Sequence, residues 1–229
     1  MPRVLLIAAL TLVVLPTLPH AADAPAQEPS AIVGRFLAYP TGPHSYRAHR
    51  HLDAAGGGLH ASIEANTEYA PSSGLHYEVT SQQGSGIIRS HVLLPLLQQE
   101  QQLIARGDAR TVALSPENYQ FMESGPAGDG LARIALQPLR KERALINGEL
   151  LVRPDDGQLV RLDGRLAKNP SFWTKHVDVV RIYERINGVL MPVSLESTAQ
   201  LRLFGNSTLH MTYGYTAIDG QPVSETSTR

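Results

Sequence analysis

Cysteine is missing from all 229 residues of the chain. That absence removes disulfides, thiolate nucleophiles and cysteine-based metal sites together. It also removes the lipid-bearing cysteine that follows the leader of a bacterial lipoprotein, so an exported form is expected to be soluble rather than lipid-anchored. Charge of one sign is scarce as well: 20 basic residues stand against 21 acidic ones, and no long basic run occurs. Phosphate recognition needs a concentrated positive patch, so nucleic acid is not an expected partner. Catalytic signatures are thin. There is no G-x-S-x-G elbow, no P-loop and no H-E-x-x-H. A serine triad, or a carboxylate pair drawn from Glu64, Glu78 and Glu196, is defined by geometry that composition does not supply. No repeat period or low-complexity tract is present.

Long apolar runs are confined to the N-terminus. Arg3, the run Val4 to Leu15 and the Ala-rich stretch after it have the three parts of an export signal. As a membrane anchor the run is too short, and it ends at Pro16. We expect a signal peptide over residues 1–24, cut between 22 and 26, and a flexible leader over 25–43 with a short helix or strand at Ile32 to Leu37. One domain over 44–220 and a polar tail over 221–229 follow. The expected product is a soluble, periplasmic monomer.

Strict alternation dominates the rest. In LHASIEANTEY, Leu59, Ala61, Ile63, Ala65 and Tyr69 oppose His60, Ser62, Glu64, Asn66 and Glu68, the period of a strand with one apolar face. YRAHRHLD before it and LHYEVTS after it, joined by short Gly/Ser/Pro loops, complete an antiparallel meander. From Ala132 onward ARIALQP, ALINGELLVRP, QLVRLDGRLA and HVDVVRIYERI read the same way, and Asp155-Asp156-Gly157 is a hairpin turn. The last pair is the longest. Val193, Leu195, Ala199, Leu201 and Leu203 share one face, and after Gly205-Asn206 the pattern resumes with Leu209, Met211, Tyr213 and Tyr215.

The middle departs from this period. IIRSHVLLPLLQQEQQLIARG predicts a helix with Ser90 as a possible cap, Gly107 as a stop, and Pro95 in the first turn or at a kink. A second short helix is expected from Ser115-Pro116-Glu117. The total is eight or nine strands with helices inserted between two runs of them. The fold class is therefore α+β, an antiparallel sheet whose apolar face needs covering by helices.

The C-terminal half, through GRLAKNPSFW (Gly164 to Trp173), PVSLES (Pro192 to Ser197) and LFGNS (Leu203 to Ser207), resembles exported bacterial proteins described as outer-membrane lipoprotein-sorting-like. These are similar to the LolA/LolB lipoprotein carriers at a distance. The resemblance implies a strongly curved open half-barrel with helices over its concave side. It also implies an apolar cavity that takes a lipid or lipoprotein acyl chain, without catalysis or cofactor. Under it, Val193, Leu195, Leu201, Leu203, Leu209, Met211, Tyr213 and Tyr215 line the cavity, with Phe172 and Trp173 at its edge. The carriers hold their helical lid with an interior arginine, and no arginine here is assigned that place.

Other readings stay open on the residues alone. The alternating apolar faces fit a filled core as well as a ligand cavity. Phe172 and Trp173 could be a loop plug, a lid or a membrane anchor. No metal is expected, although His49, His51, His60 and Glu64 supply imidazole nitrogen and carboxylate oxygen on the polar strand faces. A secreted metal-dependent hydrolase using that face is one alternative function. An envelope sensor or structural module that binds another protein is the other.

Overall fold

The computed structural model describes residues 30–39, 42–172, 174–202 and 205–224. Within the leader region, α1 (Ala31–Ala38) starts where the Ser30 hydroxyl accepts from the Val33 amide, and it buries Val33 and Phe36. The predicted meander follows as β1 (Tyr46–Gly56), β2 (Leu59–Ala70) and β3 (Gly74–Gly84). After the helical segment come β4 (Tyr119–Pro126), β5 (Ala132–Pro138), β6 (Ile146–Val152) and β7 (Leu159–Leu166). The long strands β8 (Thr174–Ile186), β9 (Val189–Leu201) and β10 (Gly205–Ile218) complete the run. A two-residue β11 (Gln221–Pro222) folds back on β10, at the start of the expected polar tail.

All these strands form one antiparallel sheet in the order β3-β2-β1-β10-β9-β8-β7-β6-β5-β4. Strands β3 and β4 are its edges, so the curved sheet stays open. Pairing of β1 with β10, Tyr46 against Ile218 through Gly56 against Ser207, joins the first three strands to the rest inside the sheet. Alternation places Leu52, Ile63, Ile134, Leu150, Val177, Leu195 and Met211 on the buried face. The opposite face carries His, Glu, Thr and Arg, as a sheet with one wetted side requires.

The helical segment covers the buried face. It runs through α2 (Gly86–Ile88), a π-helical turn (Arg89–Leu93) and α3 (Leu94–Ala105). Ser85, not Ser90, caps it. Ser90 lies inside, where its hydroxyl donates to the Gly86 carbonyl at 2.8 Å. Pro95 has no N–H to give to the preceding turn, and the widened π turn sits just before it, with the Leu94 amide reaching back to Arg89. Gly107, at φ 71°, ends the helix as predicted. Val92, Leu93, Leu96 and Leu97 are buried against β1, β2 and β3. Each such side chain contributes about 1.5–3 kcal/mol of burial.

Two elements differ from the sequence reading. The second helix is only a turn, in which the Ser115 carbonyl accepts from the amides of Asn118 and Tyr119. The Asn118 side chain donates to the carbonyls of Arg110 and Ala113, and the chain goes straight into β4. Strand β4 itself escaped prediction because it is an edge: Gln120, Met122 and Glu123 are exposed and blur its alternation.

Two glycines permit a close approach. Gly148 on β6 faces Gly164 on β7, and a Cβ on Gly148 would lie 2.1 Å from the Asp163 carbonyl oxygen and 2.4 Å from the Gly164 Cα. No larger residue fits there.

Candidate functional site

The buried side of the sheet is not uniformly apolar. On β1 the inward phase is Tyr46, Ala48, Arg50, Leu52 and Ala54, so a guanidinium is carried into the interior. On α3, Glu100 follows Leu93, Leu96 and Leu97 on the same helical face. The two meet. Arg50 Nη1 donates to Glu100 Oε2 at 2.6 Å, and Nη2 donates to Oε1 at 3.0 Å and to the Tyr46 hydroxyl at 2.8 Å. Arg50 is 0% exposed and Glu100 2%.

Aromatic rings wrap this pair. The Arg50 guanidinium lies 4.8 Å from the centre of the Tyr213 ring, which stacks on Tyr215 at 6.1 Å. Tyr46 meets Tyr215 edge-on at 5.8 Å. The Tyr215 hydroxyl donates to the Pro192 carbonyl at 2.8 Å. A second arginine, Arg181, enters on the inward phase of β8 between Val179 and Tyr183 and is also buried. Among the described residues, Arg50 Nε and the buried Ser197 Oγ have no hydrogen-bond partner.

Electrostatics follow from this burial. Desolvation works against the charge of Arg50, but Glu100, Tyr46 and Tyr213 outweigh it and hold its pKa well above the ordinary value. Arg181 is likewise raised, with Tyr183, Tyr213 and then Glu100 overcoming its desolvation. Burial pushes the Tyr46, Tyr213 and Tyr215 hydroxyls up, more strongly than Arg50 pulls them down. The interior therefore holds two arginine cations beside neutral phenols, with the middle of α3 tied to β1 by a two-point ion pair.

The residues proposed from sequence as cavity lining occupy this same face. Leu195, Leu209, Met211, Tyr213 and Tyr215 are buried, while Val193 and Leu201 are half-buried. Leu203 and Trp173 lie outside the described residues. Phe172 is 76% exposed, with the Arg202 guanidinium 5.1 Å from its ring centre. Sequence reasoning missed Arg50, Glu100 and Arg181. An arginine on the apolar phase of a strand was the available signal, and the structure gives Arg50 an interior place that the sequence reading had left unassigned.

The metal candidates take another arrangement, on the outer face. Glu64 on β2 sits between two rings of β1, its Oε2 2.7 Å from His49 Nε2 and its Oε1 2.5 Å from His51 Nδ1. The second ring nitrogen of His49 is 3.1 Å from Asn66 Oδ1. His60 turns away to Asp53, at 2.5 Å. Each carboxylate oxygen lies at contact distance from one ring nitrogen. Among the described residues no group of three His, Asp or Glu side chains is arranged to hold a metal. Burial alone would raise Glu64, but hydrogen bonds and charge from His51 and then His49 hold its carboxyl below the ordinary value. Beside this cluster a groove of about 470 Å³ lies between Arg47, Glu68, His76 and Glu78.

The chain is similar to two solved structures. One is a DUF1329 family protein from Desulfovibrio piger, at 12% identity and a TM-score of 0.40, covering 80% of this chain and 88% of that one. The other is a LolA superfamily protein from Nitrosomonas europaea, at 11% identity and a TM-score of 0.39, covering 82% and 92%. No protein-family model and no curated protein matches the chain. Among the described residues no helix is long and apolar enough to cross a membrane.

Proposed function

We propose that the chain sequesters a lipid or a lipoprotein acyl chain between its curved sheet and its helical segment, without catalysis, after export to the periplasm. The observation that carries this reading is the helical cover itself. It packs on the apolar face of β1 to β3 through Leu93, Leu96 and Leu97, with few polar ties, among them the buried pair Arg50–Glu100 and the Gln101 amide donating to the Leu75 carbonyl. Apolar packing has no directional demand, so a hydrocarbon chain can replace one set of contacts with another at about 0.8 kcal/mol per buried methylene. The unpartnered Arg50 Nε and Ser197 Oγ offer hydrogen bonds to an ester or carboxyl group at the head of such a chain. Leu195, Leu209 and Met211 then contact the hydrocarbon, and displacement of α3 admits and releases it.

Native mass spectrometry tests the reading, on processed protein purified from a periplasm without detergent. Adduct masses released as acyl lipids on denaturation support it. A clean protein mass, together with no uptake of a fluorescent fatty acid, overturns it.

A further inference from the structure

The two rims of the sheet differ in chemistry. One rim gathers the β1–β2 turn, the start of α2, the β9–β10 and β7–β8 connections and the β5–β6 loop. Register fixes this grouping: Gly56 pairs with Leu59 and Ser207, Leu201 with Gly205 and Thr174, and Ile146 with Leu166. Large apolar side chains stand exposed on these loops: Leu59 at 44%, Ile87 at 64%, Leu139 at 58% and Phe172 at 76%. Beside them are exposed Lys141, Arg143, Lys168, Lys175 and Arg202, against the acids Glu117 and Glu142. Arg202 is fixed to the aromatic tip, for its Nε donates to the Phe172 carbonyl at 2.9 Å.

The opposite rim lacks this combination. Its turns carry Asp129, Asp155, Asp156 and Asp219 beside exposed Arg153 and Arg185, the latter paired with Asp156, and none of the exposed large apolar residues of the described chain lies there. Met122, the remaining one, is on the edge strand β4.

We propose that the apolar, basic rim docks on the surface of a bilayer containing anionic phospholipid. The spacing argues for a lipid surface over a protein. Strands lie about 4.8 Å apart, so Leu59 on β2 and Phe172 before β8 are roughly 20 Å apart along the sheet. A protein interface needs one contiguous apolar core, whereas single side chains on separate loop tips, each with cations nearby, suit entry between head groups. Lysine and arginine at this depth keep their charge among phosphates while their stems cover apolar surface. The opposite rim, of mixed charge and without exposed large apolar side chains among the described residues, then points to water, which fixes the orientation of the molecule. This inference does not depend on what fills the interior.

Flotation with vesicles tests it, using processed protein whose N-terminus is verified by mass. Vesicles of phosphatidylethanolamine with a third phosphatidylglycerol are expected to bind the protein about tenfold better than phosphatidylcholine vesicles at low salt, and the difference should shrink as salt screens the charges. Lys168→Glu with Lys175→Glu should remove about tenfold of that binding, and Phe172→Ser with Leu139→Ser should reduce it without changing the thermal midpoint. Trp173, the only tryptophan and the residue after Phe172, reports insertion by a blue shift of its emission. Equal binding to both vesicle types, no binding to either, or rim variants that float as well as the parent would each overturn the proposal. Retention of an envelope protein without any lipid binding would also overturn it, in favour of a protein partner.

Discussion

Arg50 and Glu100, fifty residues apart in the chain, bury one two-point ion pair between the sheet and the helix that covers it. Removing one partner leaves the other charged and desolvated, which costs far more than the pair itself contributes. Glu100→Gln should therefore destabilise the protein by about 3–5 kcal/mol, and Arg50→Met with Glu100→Leu by much less. Urea unfolding of the three proteins checks this. A double variant as unstable as the single one would show that the helix depends on the charges themselves.

Ser197 presents the opposite case. Its hydroxyl is buried without a hydrogen-bond partner among the described residues. An unmade buried hydrogen bond costs about 1–3 kcal/mol, so Ser197→Ala should raise stability by roughly 1 kcal/mol. Under the carrier reading the same substitution should also weaken uptake of a fluorescent fatty acid. Lower stability with unchanged uptake would assign the hydroxyl a structural role.

Gly148 faces backbone where a methyl group would need to be. Gly148→Ala should cost at least about 3 kcal/mol, beyond ordinary overpacking, because carbonyl and Cα atoms of β7 cannot rotate aside as a side chain can. Gly128→Ala, where a Cβ meets nothing within 4 Å, is the control and should change the thermal midpoint little.

Alkaline titration reads the buried phenols. Tyr119 is pushed up to about 12, chiefly by burial, and Tyr46, Tyr213 and Tyr215 are raised for the same reason. A raised folded-state value means stability that is whole below the ordinary tyrosine pKa near 10 and lost as pH rises toward the folded values. Ultraviolet titration should show these residues ionising together with loss of near-ultraviolet circular dichroism. Ionisation near pH 10 in a protein that stays folded would place water beside them.

Glu64 sets the acid side. Its lowered pKa contributes stability that is present above the ordinary carboxylate value and lost as pH falls through the folded one. The carboxylate is partly exposed, so the contribution is small, below about 1 kcal/mol. Glu64→Gln should flatten the stability profile below pH 4 by that amount, as followed by urea midpoints.

Legibility from sequence tracked the solvent. Strands with one dry and one wet face, such as β1, β2, β9 and β10, announce themselves by period two, and the apolar set Leu209, Met211, Tyr213 and Tyr215 was found inside as predicted. Strand β4 was not legible because an edge strand with Gln120 and Met122 exposed loses that contrast. The cap slipped from Ser90 to Ser85 because a π turn absorbs Pro95, and no residue pattern distinguishes that from a helix starting later. Arg50 and Glu100 were hidden for another reason. Each is polar on an apolar phase, and only the crossing of α3 over β1 explains both.

The placement of β10 beside β1 has a consequence for how the chain comes into being. Synthesis delivers β1 first, yet its partner is the last long strand to emerge, with Tyr46 waiting for Ile218. Until then the meander of β1 to β3 carries an unpaired edge at what becomes an interior position of the sheet, and closing so distant a contact is slow. The nascent protein is thus exposed to wrong pairing for nearly its whole length, and a holding chaperone should affect its yield more than its final stability.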